Sequence, residues 1–599
     1  MTEGPTPATV EDRLGDFTTT VRVLTLLPIA LAIGVLATGI ALALLDMIGL
    51  FTNLFYFQRV GVSLVAPGTE RLGAWTILVP VVGGLIVGLM ARFGSEQIRG
   101  HGIPEAMERI LINGSTVQPR LAILKPIASA VSIGTGGPFG AEGPIILTGG
   151  AVGSIVGQLF HLTAAQRRSL LVAGAAAGMA AVFGTPVAAT LFGVELLAFE
   201  FRPRSMILIG TAAATADGLR LELAHAGLIS PQPLFPLAAH VPAGGPALFG
   251  AAAVGVACGL LAWVMTQAVY RSEDLFLRLR ARLHWMWWPL IGGLVIGVGG
   301  LVDPRALGVG YGTIHATLLR QLGVGALCAL LVVKTVIWAV GLGSGTSGGI
   351  LAPIMTVGAA LGGVLGHVLP GATPGSWALI GLGGALAGVT RSPFTAIVFA
   401  FELTHDPNSL LPLLVAACCA HLVSVLILKR SILTEKVARR GFHVMREYAV
   451  DPLEATFVRE MMTREPVTAR PDQLVADFYA ALPEGSAGRR QRLYPVLDRD
   501  RLVAVVPWST VRARREETGA RVGDVATPAR VVAHPDEILR AVADRMVDQE
   551  VGVVPVVERA APERLVGLLS EFDLLRARRR LLEEERRAER VLDLWPRRA

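Results

Sequence analysis

A single acidic residue interrupts one of the most glycine-rich parts of this chain. Residues 140 to 144 read GAEGP, preceded by SIGTGGPF and followed by the apolar run IILTGGAVGSIVG. A carboxylate is costly in an apolar setting, so it marks either a functional group or a side chain satisfied by backbone donors. Glu142 is therefore the first candidate for chemistry, and the elements that hold it must be found.

The composition indicates a polytopic membrane protein. The 599 residues are 52% hydrophobic and 17% charged, with a mean hydropathy of +0.56, which departs from an average soluble domain. Apolar stretches long enough to cross a bilayer recur from Val21 to Leu428. The polar N-terminus lacks the short apolar region and small-residue site of a cleavable signal peptide.

The net charge of +7 arises from basic residues clustered just after the last apolar stretch, in LKRSILTEKVARRG, and in the C-terminal tail. Because such residues favour the cytoplasmic side, we expect cytoplasmic termini and no nucleic-acid partner. The four cysteines, Cys258, Cys328, Cys418 and Cys419, lie in apolar segments without metal-ligand spacing. They are interpreted as core residues, and no metal site is expected.

The chain repeats itself at a spacing of about 209 residues. LAILKPIASAVSIGTGGPFGAEGPIILTGGAVG aligns with LLVVKTVIWAVGLGSGTSGGILAPIMTVGAALG, which pairs Lys125 with Lys334. FGTPVAATLFGVEL aligns with TRSPFTAIVFAFEL, which pairs Glu195 with Glu402, and a weaker match sets GHGIPEAMERI against GYGTIHATLLR. Three ordered matches indicate an internal duplication.

Membrane proteins built from such repeats commonly have inverted topology, with Gly- and Pro-broken helices that meet near the bilayer midplane. Broken backbone must be buried or line a cavity, and the helix N-termini that it exposes suit an anion. Close helix packing is the alternative explanation for the glycines. Lys125 and Lys334 are interpreted either as anion contacts or as side chains that reach the membrane interface. The residues favour an all-α polytopic membrane fold that handles an anion.

Three spaced motifs resemble those of the CLC family of chloride channels and chloride/proton exchangers. GHGIP (100–104), GAEGP (140–144) and GILAP (349–353) stand where that family has G-S-G-I-P, G-K/R-E-G-P and G-X-F-X-P. The resemblance implies a homodimer in the plasma membrane, with one pathway per subunit for chloride or a related inorganic anion. It also implies that Glu142 is the gating glutamate, which occupies the anion site when charged and leaves it when protonated.

The resemblance further implies which residues line the anion path. They are His101, Gly102, Ile103, Gly140, Ala141, Gly349, Ile350, Leu351 and Leu433. His101 replaces the family's anion-binding serine, and Leu433, in SILT, replaces its anion-binding tyrosine. Since histidine titrates near neutrality, we expect anion binding to tighten as pH falls. The alternative is that the imidazole turns away and caps a neighbouring helix.

The position after Glu195 bears on proton coupling. Exchangers of the family carry a proton-relay glutamate there, and this chain has Leu196. The resemblance thus implies passive or only weakly proton-coupled transport. The alternative is a coupled anion/proton exchanger that uses water or another group. Glu195 itself, paired with Glu402 by the repeat, is predicted to be a structural carboxylate that accepts hydrogen bonds.

The region after the membrane part is a soluble α/β segment with its own duplication. MTREPVTARPDQLVADFYAAL matches ATPARVVAHPDEILRAVADRM, and the two copies, 457–512 and 521–578, resemble a tandem CBS pair over 451–580. Ser570 and Asp573 stand where nucleotide-binding members contact a phosphate or ribose, but the first copy lacks the aspartate. A structural, dimer-stabilising pair is predicted, with an adenine nucleotide as the alternative ligand and no required cofactor.

The predicted organisation is a cytoplasmic segment over 1–20, a membrane part over 21–440 with repeats at about 75–230 and 285–430, the CBS pair, and a charged helical tail over 581–599. A membrane-anchored nucleotide sensor is the competing function from another class. The sequence has no nucleophile–base grouping, phosphate loop or metal-ligand cluster that would indicate an enzyme.

Overall fold

The computed structural model describes residues 21, 23–68, 71–111, 115, 117–198, 201–230, 234–237, 244–441, 453 and 456–586. The chain divides into a membrane unit over residues 16–446 and a second unit that contains residues 447–599. The predicted N-terminal segment and the part of the tail after Arg586 lie outside the described residues.

Eight α-helices are described in the first part of the membrane unit. They are α1 (Val23–Phe57), α2 (Leu78–Phe93), α3 (Ile103–Leu111), α4 (Pro119–Gly134), α5 (Glu142–Gln158), α6 (Ala164–Phe183), α7 (Pro186–Phe192) and α8 (Pro203–His225). Proline begins α4, α7 and α8, where its missing N–H costs no hydrogen bond. A π-helical turn, Gly193–Ala198, follows α7 directly.

Nine more are described in the second part. They are α9 (Gly245–Leu279), α10 (Trp288–Val302), α11 (Tyr311–Leu318), α12 (Val324–Gly343), α13 (Leu351–Leu365), α14 (Pro374–Thr390), α15 (Pro393–Thr404), α16 (Leu410–Ile427) and α17 (Ile432–Arg439). Helices α10 to α16 repeat the order of long and short helices in α2 to α8. We call α2–α8 the first half and α10–α16 the second half.

The two halves contact each other reciprocally. Gly84 of α2 lies against the backbone carbonyl of Pro289 in α10, and Gly293 of α10 lies against that of Pro80 in α2. A Cβ atom at either glycine would overlap the opposite backbone. Mutual contacts of this kind are expected of repeats related by a two-fold axis. The described helices thus confirm the predicted all-α membrane fold with two inverted repeats.

Long and short helices have different roles in this unit. Among the described residues, six helical segments are long and apolar enough to cross a membrane. The 9-residue α3 and the 8-residue α11 are not, because at 1.5 Å per residue they cover less than half of a bilayer core of about 30 Å. α3 begins next to the buried residues His101 and Ile103, so the N-terminus of a short helix is available to a buried site.

The second unit is an α/β segment. Its described elements are α18 (Val458–Met461), α19 (Val475–Ala480), α20 (Ala487–Arg490), β1 (Leu493–Asp498), β2 (Arg501–Pro507), α21 (Trp508–Arg514), α22 (Val522–Val525), α23 (Leu539–Asp548), β3 (Val553–Glu558), β4 (Ala561–Ser570) and α24 (Glu571–Arg586). The strands form an antiparallel sheet in the order β1-β2-β4-β3.

The duplication predicted for this unit is visible in its hydrogen bonds. The N–H of Ala469 donates to the carbonyl of Pro495 at the start of the first hairpin, at 2.9 Å, and Ala533 donates to Pro555 of the second hairpin at 3.0 Å. Two hydrophobic cores are described, one around β1–β2 and one around β3–β4, and Val458 and Met461 at the start of the first predicted copy pack into the second of these cores. The two hairpins are thus approached in the same way, and the bounds of the two copies stay predictions.

Candidate functional site

Three helix N-termini meet where the two halves join. Gly140, before α5, and Gly349, before α13, exchange backbone hydrogen bonds of 3.1 and 2.7 Å. Gly143 in the first turn of α5 lies against the carbonyl of His101, just before α3. Helix N-termini present unpaired N–H groups and a positive dipole end. This junction, which we call the seam, is therefore suited to an anion.

Glu142 lies in the seam as the first residue of α5. Its side chain is 0% exposed, and neither carboxylate oxygen has a hydrogen-bond partner of standard geometry among the described residues. The carboxylate folds back over Gly140 and approaches Gly349. Tyr311 and Lys334 face it. The structure therefore places Glu142 at the seam, and its role as a gate stays a prediction.

His101 lies beside the seam and is 3% exposed. Its Nδ1 atom is buried and has no hydrogen-bond partner in the described part of the chain. Glu105 faces the imidazole and accepts a hydrogen bond of 2.8 Å from the N–H of Gly102. Glu105 also pairs with Lys436 at 3.9 Å and with Arg440 at 3.4 Å. This buried ionic cluster was not predicted, because the spacing of Glu105 and Lys436 is that of ordinary charges on a helix surface.

A cavity of about 800 Å³ opens beside this cluster. It is lined by Gly100 and by charged and aromatic side chains that include Arg99, Lys436 and Trp285. The guanidinium carbon of Arg99 lies 4.7 Å from the ring centre of Trp285, a cation–π distance that holds the arginine at the wall. The cavity thus reaches the residue that precedes His101.

The two repeat-related lysines are structural. Lys125 and Lys334 are each 0% exposed. Lys125 Nζ donates to the carbonyls of Ile98 and Gly100, both at 2.7 Å, and Lys334 Nζ donates to that of Gly308 at 2.8 Å. The prediction that they reach the membrane interface is wrong, since both hold the turns that precede α3 and α11.

The remaining predicted site residues lie on or next to the same helices. Ile103, Ala141, Ile350 and Leu351 are buried at the starts of α3, α5 and α13. Leu433 is buried in the first turn of α17, and α17 packs against α3. Contact of these residues with an anion remains a prediction.

Glu195 and Glu402 each cap the start of a helix in the opposite half. Glu195 Oε2 accepts hydrogen bonds from the N–H and the hydroxyl of Thr395 at the start of α15, at 2.9 and 2.6 Å. The two carboxylate oxygens of Glu402 accept from the N–H groups of Val187 and Ala188 at the start of α7, at 3.1 and 2.8 Å. The predicted structural role of Glu195 is confirmed. Leu196, beside it in the π-helical turn, is fully buried.

In the second unit, Ser570 and Asp573 contact each other at the start of α24. Asp573 Oδ2 accepts hydrogen bonds from the N–H and hydroxyl of Ser570, at 2.8 and 2.7 Å, and its Oδ1 pairs with Arg576 at 3.1 Å. The carboxylate is thus used as a helix cap.

Broken helices whose N-termini surround a buried carboxylate, at the seam of two inverted repeats, define a class of membrane transport protein. A family model described as voltage-gated chloride channel matches residues 83–425, and the chain belongs to this family, the CLC family. A CBS domain model matches residues 522–580, which agrees with the second copy of the α/β motif.

Individual relatives agree with this assignment. The H(+)/Cl(-) exchange transporter ClcA of Yersinia pestis bv. Antiqua (strain Angola) is 30% identical over 362 residues, which cover 56% of this chain and 71% of the relative. A slow cyanobacterial Cl-/H+ antiporter has a similar fold, with a TM-score of 0.61 and 21% identity over 71% of this chain and 99% of that one. A eukaryotic CLC transporter matches with a TM-score of 0.58 and 20% identity over 92% and 98% of the chains.

Proposed function

We propose that this protein carries chloride or a related inorganic anion across the plasma membrane, as a homodimer with one pathway per subunit and cytoplasmic termini. The observation that carries the proposal is the buried Glu142 carboxylate at the meeting point of three helix N-termini, without a hydrogen-bond partner among the described residues. Donors arranged for an anion, occupied by a side chain that can be neutralised, suit a gate.

The backbone supports this proposal independently of the unusual side chains. Gly140, Gly349 and Gly143 bring α5, α13 and the segment before α3 into direct contact. N–H groups do not depend on the side chain, so the change to Leu351 does not remove a donor. When Glu142 is protonated and rotates away, an anion takes its place in the seam.

Transport is passive or only weakly coupled to protons in this proposal. The buried Leu196 cannot exchange a proton, and it stands where the family's exchangers have their relay glutamate. The second candidate is a coupled anion/proton exchanger, which is favoured by the names of the Yersinia and cyanobacterial relatives. The buried Glu105, next to His101, is a group that such a mechanism could use in place of the relay.

The deciding experiment records anion flux and pH together in sealed proteoliposomes. With a chloride gradient imposed, we expect chloride to move and protons to move little against their own gradient. Robust uphill proton movement would place the protein among the exchangers. Absence of anion flux at every pH, in both the wild-type protein and Glu142→Gln, would overturn the proposal and favour the nucleotide-sensor function.

For the CBS pair we propose a structural role, because the Asp573 carboxylate already caps α24 and pairs with Arg576. The test is thermal unfolding of the full chain with millimolar ATP or AMP, for which we expect an unchanged melting temperature. A shift that is smaller in Asp573→Ala would assign the nucleotide to this position instead.

A further inference from the structure

The hydroxyl of Tyr311 has no assigned role. Tyr311 is the first residue of α11, and its oxygen is buried without a hydrogen-bond partner among the described residues. Buried hydroxyl groups are nearly always paired, so an unpaired one calls for an explanation. One explanation is a hydrogen-bond partner that is present only in some states of the protein.

The Tyr311 hydroxyl faces the Glu142 carboxylate. Neither group makes a hydrogen bond of standard geometry with the described residues, so an unused donor confronts unused acceptors. Lys334 also faces Glu142, but its Nζ donates to the carbonyl of Gly308 at 2.8 Å. The backbone N–H of Ala352 also approaches the carboxylate, so Tyr311 is the uncharged side-chain donor at the gate whose hydroxyl has no other partner among the described residues.

The ring of Tyr311 is fixed by other aromatic residues. It lies edge-on to Phe183 at 6.0 Å between ring centres and edge-on to Phe235 at 6.3 Å. Phe183 in turn packs edge-on against Phe399 at 5.0 Å. Such packing holds the ring in one place while leaving the hydroxyl at its edge unpaired, which is how a ligand is preorganised.

The internal repeat gives a second, independent indication. Gly100 and Gly310 have φ values of +90° and +89°, and the residues that follow them are His101 and Tyr311. Each has a buried polar atom without a hydrogen-bond partner in the described part of the chain. The two halves thus contribute one polar side chain each, from equivalent turns that lead into the seam.

We propose that Tyr311 is a side-chain ligand of the anion pathway: its hydroxyl donates a hydrogen bond to the Glu142 carboxylate while that carboxylate occupies the seam, and to the transported anion after Glu142 has left. This inference rests on the proposed function, since it requires Glu142 to be the gate. In this proposal the phenol hydroxyl comes from Tyr311 on α11, whereas Leu433, which replaces the family's anion-binding tyrosine, has no hydroxyl.

The proposal fixes the direction of two effects. A hydrogen bond to the charged carboxylate favours the charged form, so its removal lets Glu142 take up a proton and leave at a higher pH. A hydrogen bond to the anion contributes to affinity, so its removal weakens binding once the gate is gone.

The test is Tyr311→Phe, which keeps the ring and deletes the hydroxyl. In the otherwise wild-type protein, we expect the pH of half-maximal flux in proteoliposomes to rise by about half to one unit. In the Glu142→Gln background, the chloride concentration for half-maximal flux should increase about three- to tenfold. The matched control is Tyr56→Phe, which deletes a buried hydroxyl that donates to the carbonyl of Thr135 at 3.2 Å and should change neither quantity.

An unchanged pH midpoint together with an unchanged chloride requirement in Tyr311→Phe would overturn the assignment, provided that Glu142→Gln alone abolishes the pH response. If anion flux is present but Glu142→Gln alone has no effect on it, the assignment of Glu142 as the gate fails instead, and absence of flux in both proteins would overturn the proposed function. Equal changes in Tyr56→Phe and Tyr311→Phe would show a general effect of hydroxyl loss and would also overturn the assignment.

Discussion

The turns before α3 and α11 share a backbone but differ in chemistry. Each contains a glycine with a φ near +90°, and each is held by a buried lysine. The first leads into His101 and a buried ionic cluster around Glu105, whereas the second leads into Tyr311, which faces Glu142. The repeat therefore preserves the scaffold, and the function depends on what the two halves do not share.

The strongest test of this asymmetry is Glu142→Gln, because the second half has no equivalent carboxylate at Gly349–Leu351. Flux at neutral pH should rise at least about tenfold. A closed state that is more stable than the open state by only ~1.4 kcal/mol already reduces the open population tenfold. The dependence of flux on pH should disappear. Glu195→Gln is the control, because that carboxylate is a cap, and its flux profile should match the wild type.

The buried lysines should differ in their contribution to stability. Lys125 donates to two carbonyls and Lys334 to one, and each acceptor left unpaired costs about 1–3 kcal/mol. We expect Lys125→Met to lower the free energy of unfolding by roughly 2–6 kcal/mol and Lys334→Met by roughly 1–3 kcal/mol. Unfolding of the purified protein in detergent measures both. Equal losses would mean that the turns are not held by these bonds.

The cap made by Glu402 should also contribute to stability. Its two carboxylate oxygens accept from two backbone N–H groups, and glutamine, with one oxygen, must lose one of these bonds. Glu402→Gln should therefore cost about 1–3 kcal/mol of unfolding free energy. Thermal unfolding measures this loss, and an unchanged unfolding free energy would contradict the cap assignment.

The smallest effect is expected at His101. In the Glu142→Gln background, His101→Ala should change permeability ratios among chloride, nitrate, bicarbonate, fluoride and thiocyanate by a few-fold, about the value of one hydrogen bond. His101→Ser should restore part of the difference, and the affinity of His101→Ala should no longer vary with pH. Identical selectivity and pH dependence in all three proteins would eliminate His101 as an anion ligand.

Features that follow from the internal repeat could be predicted from the sequence. Pairing Glu195 with Glu402 predicted a structural carboxylate, and the structure adds that each caps the opposite half. The two copies of the C-terminal motif followed from their matching residues in the same way. An internal repeat therefore gives information about residues far apart in the chain from a single sequence.

Features that depend on contacts between distant segments were not predicted. Glu105 has the spacing of a solvated helix residue, and it is buried because α17 packs against α3 and brings Lys436 to it. Lys125 and Lys334 were interpreted as anion contacts or as interfacial lysines, because the carbonyls that they bind lie some 25 residues earlier in the chain. Tyr311 was aligned with His101, but nothing in the sequence showed that its hydroxyl faces Glu142.

The helix caps that Glu195 and Glu402 form across the two halves have a mechanical consequence. Transporters that work by rocking one repeat against the other need an interface that can separate. Here four hydrogen bonds link Glu195 and Glu402 to helix starts in the opposite halves, and Gly140 and Gly349 are bonded beside the seam. Separation of the halves would break these hydrogen bonds of both carboxylates in an apolar interior. We therefore expect the two halves to stay together during transport, so that in the proposed mechanism opening requires only rotation of the Glu142 side chain.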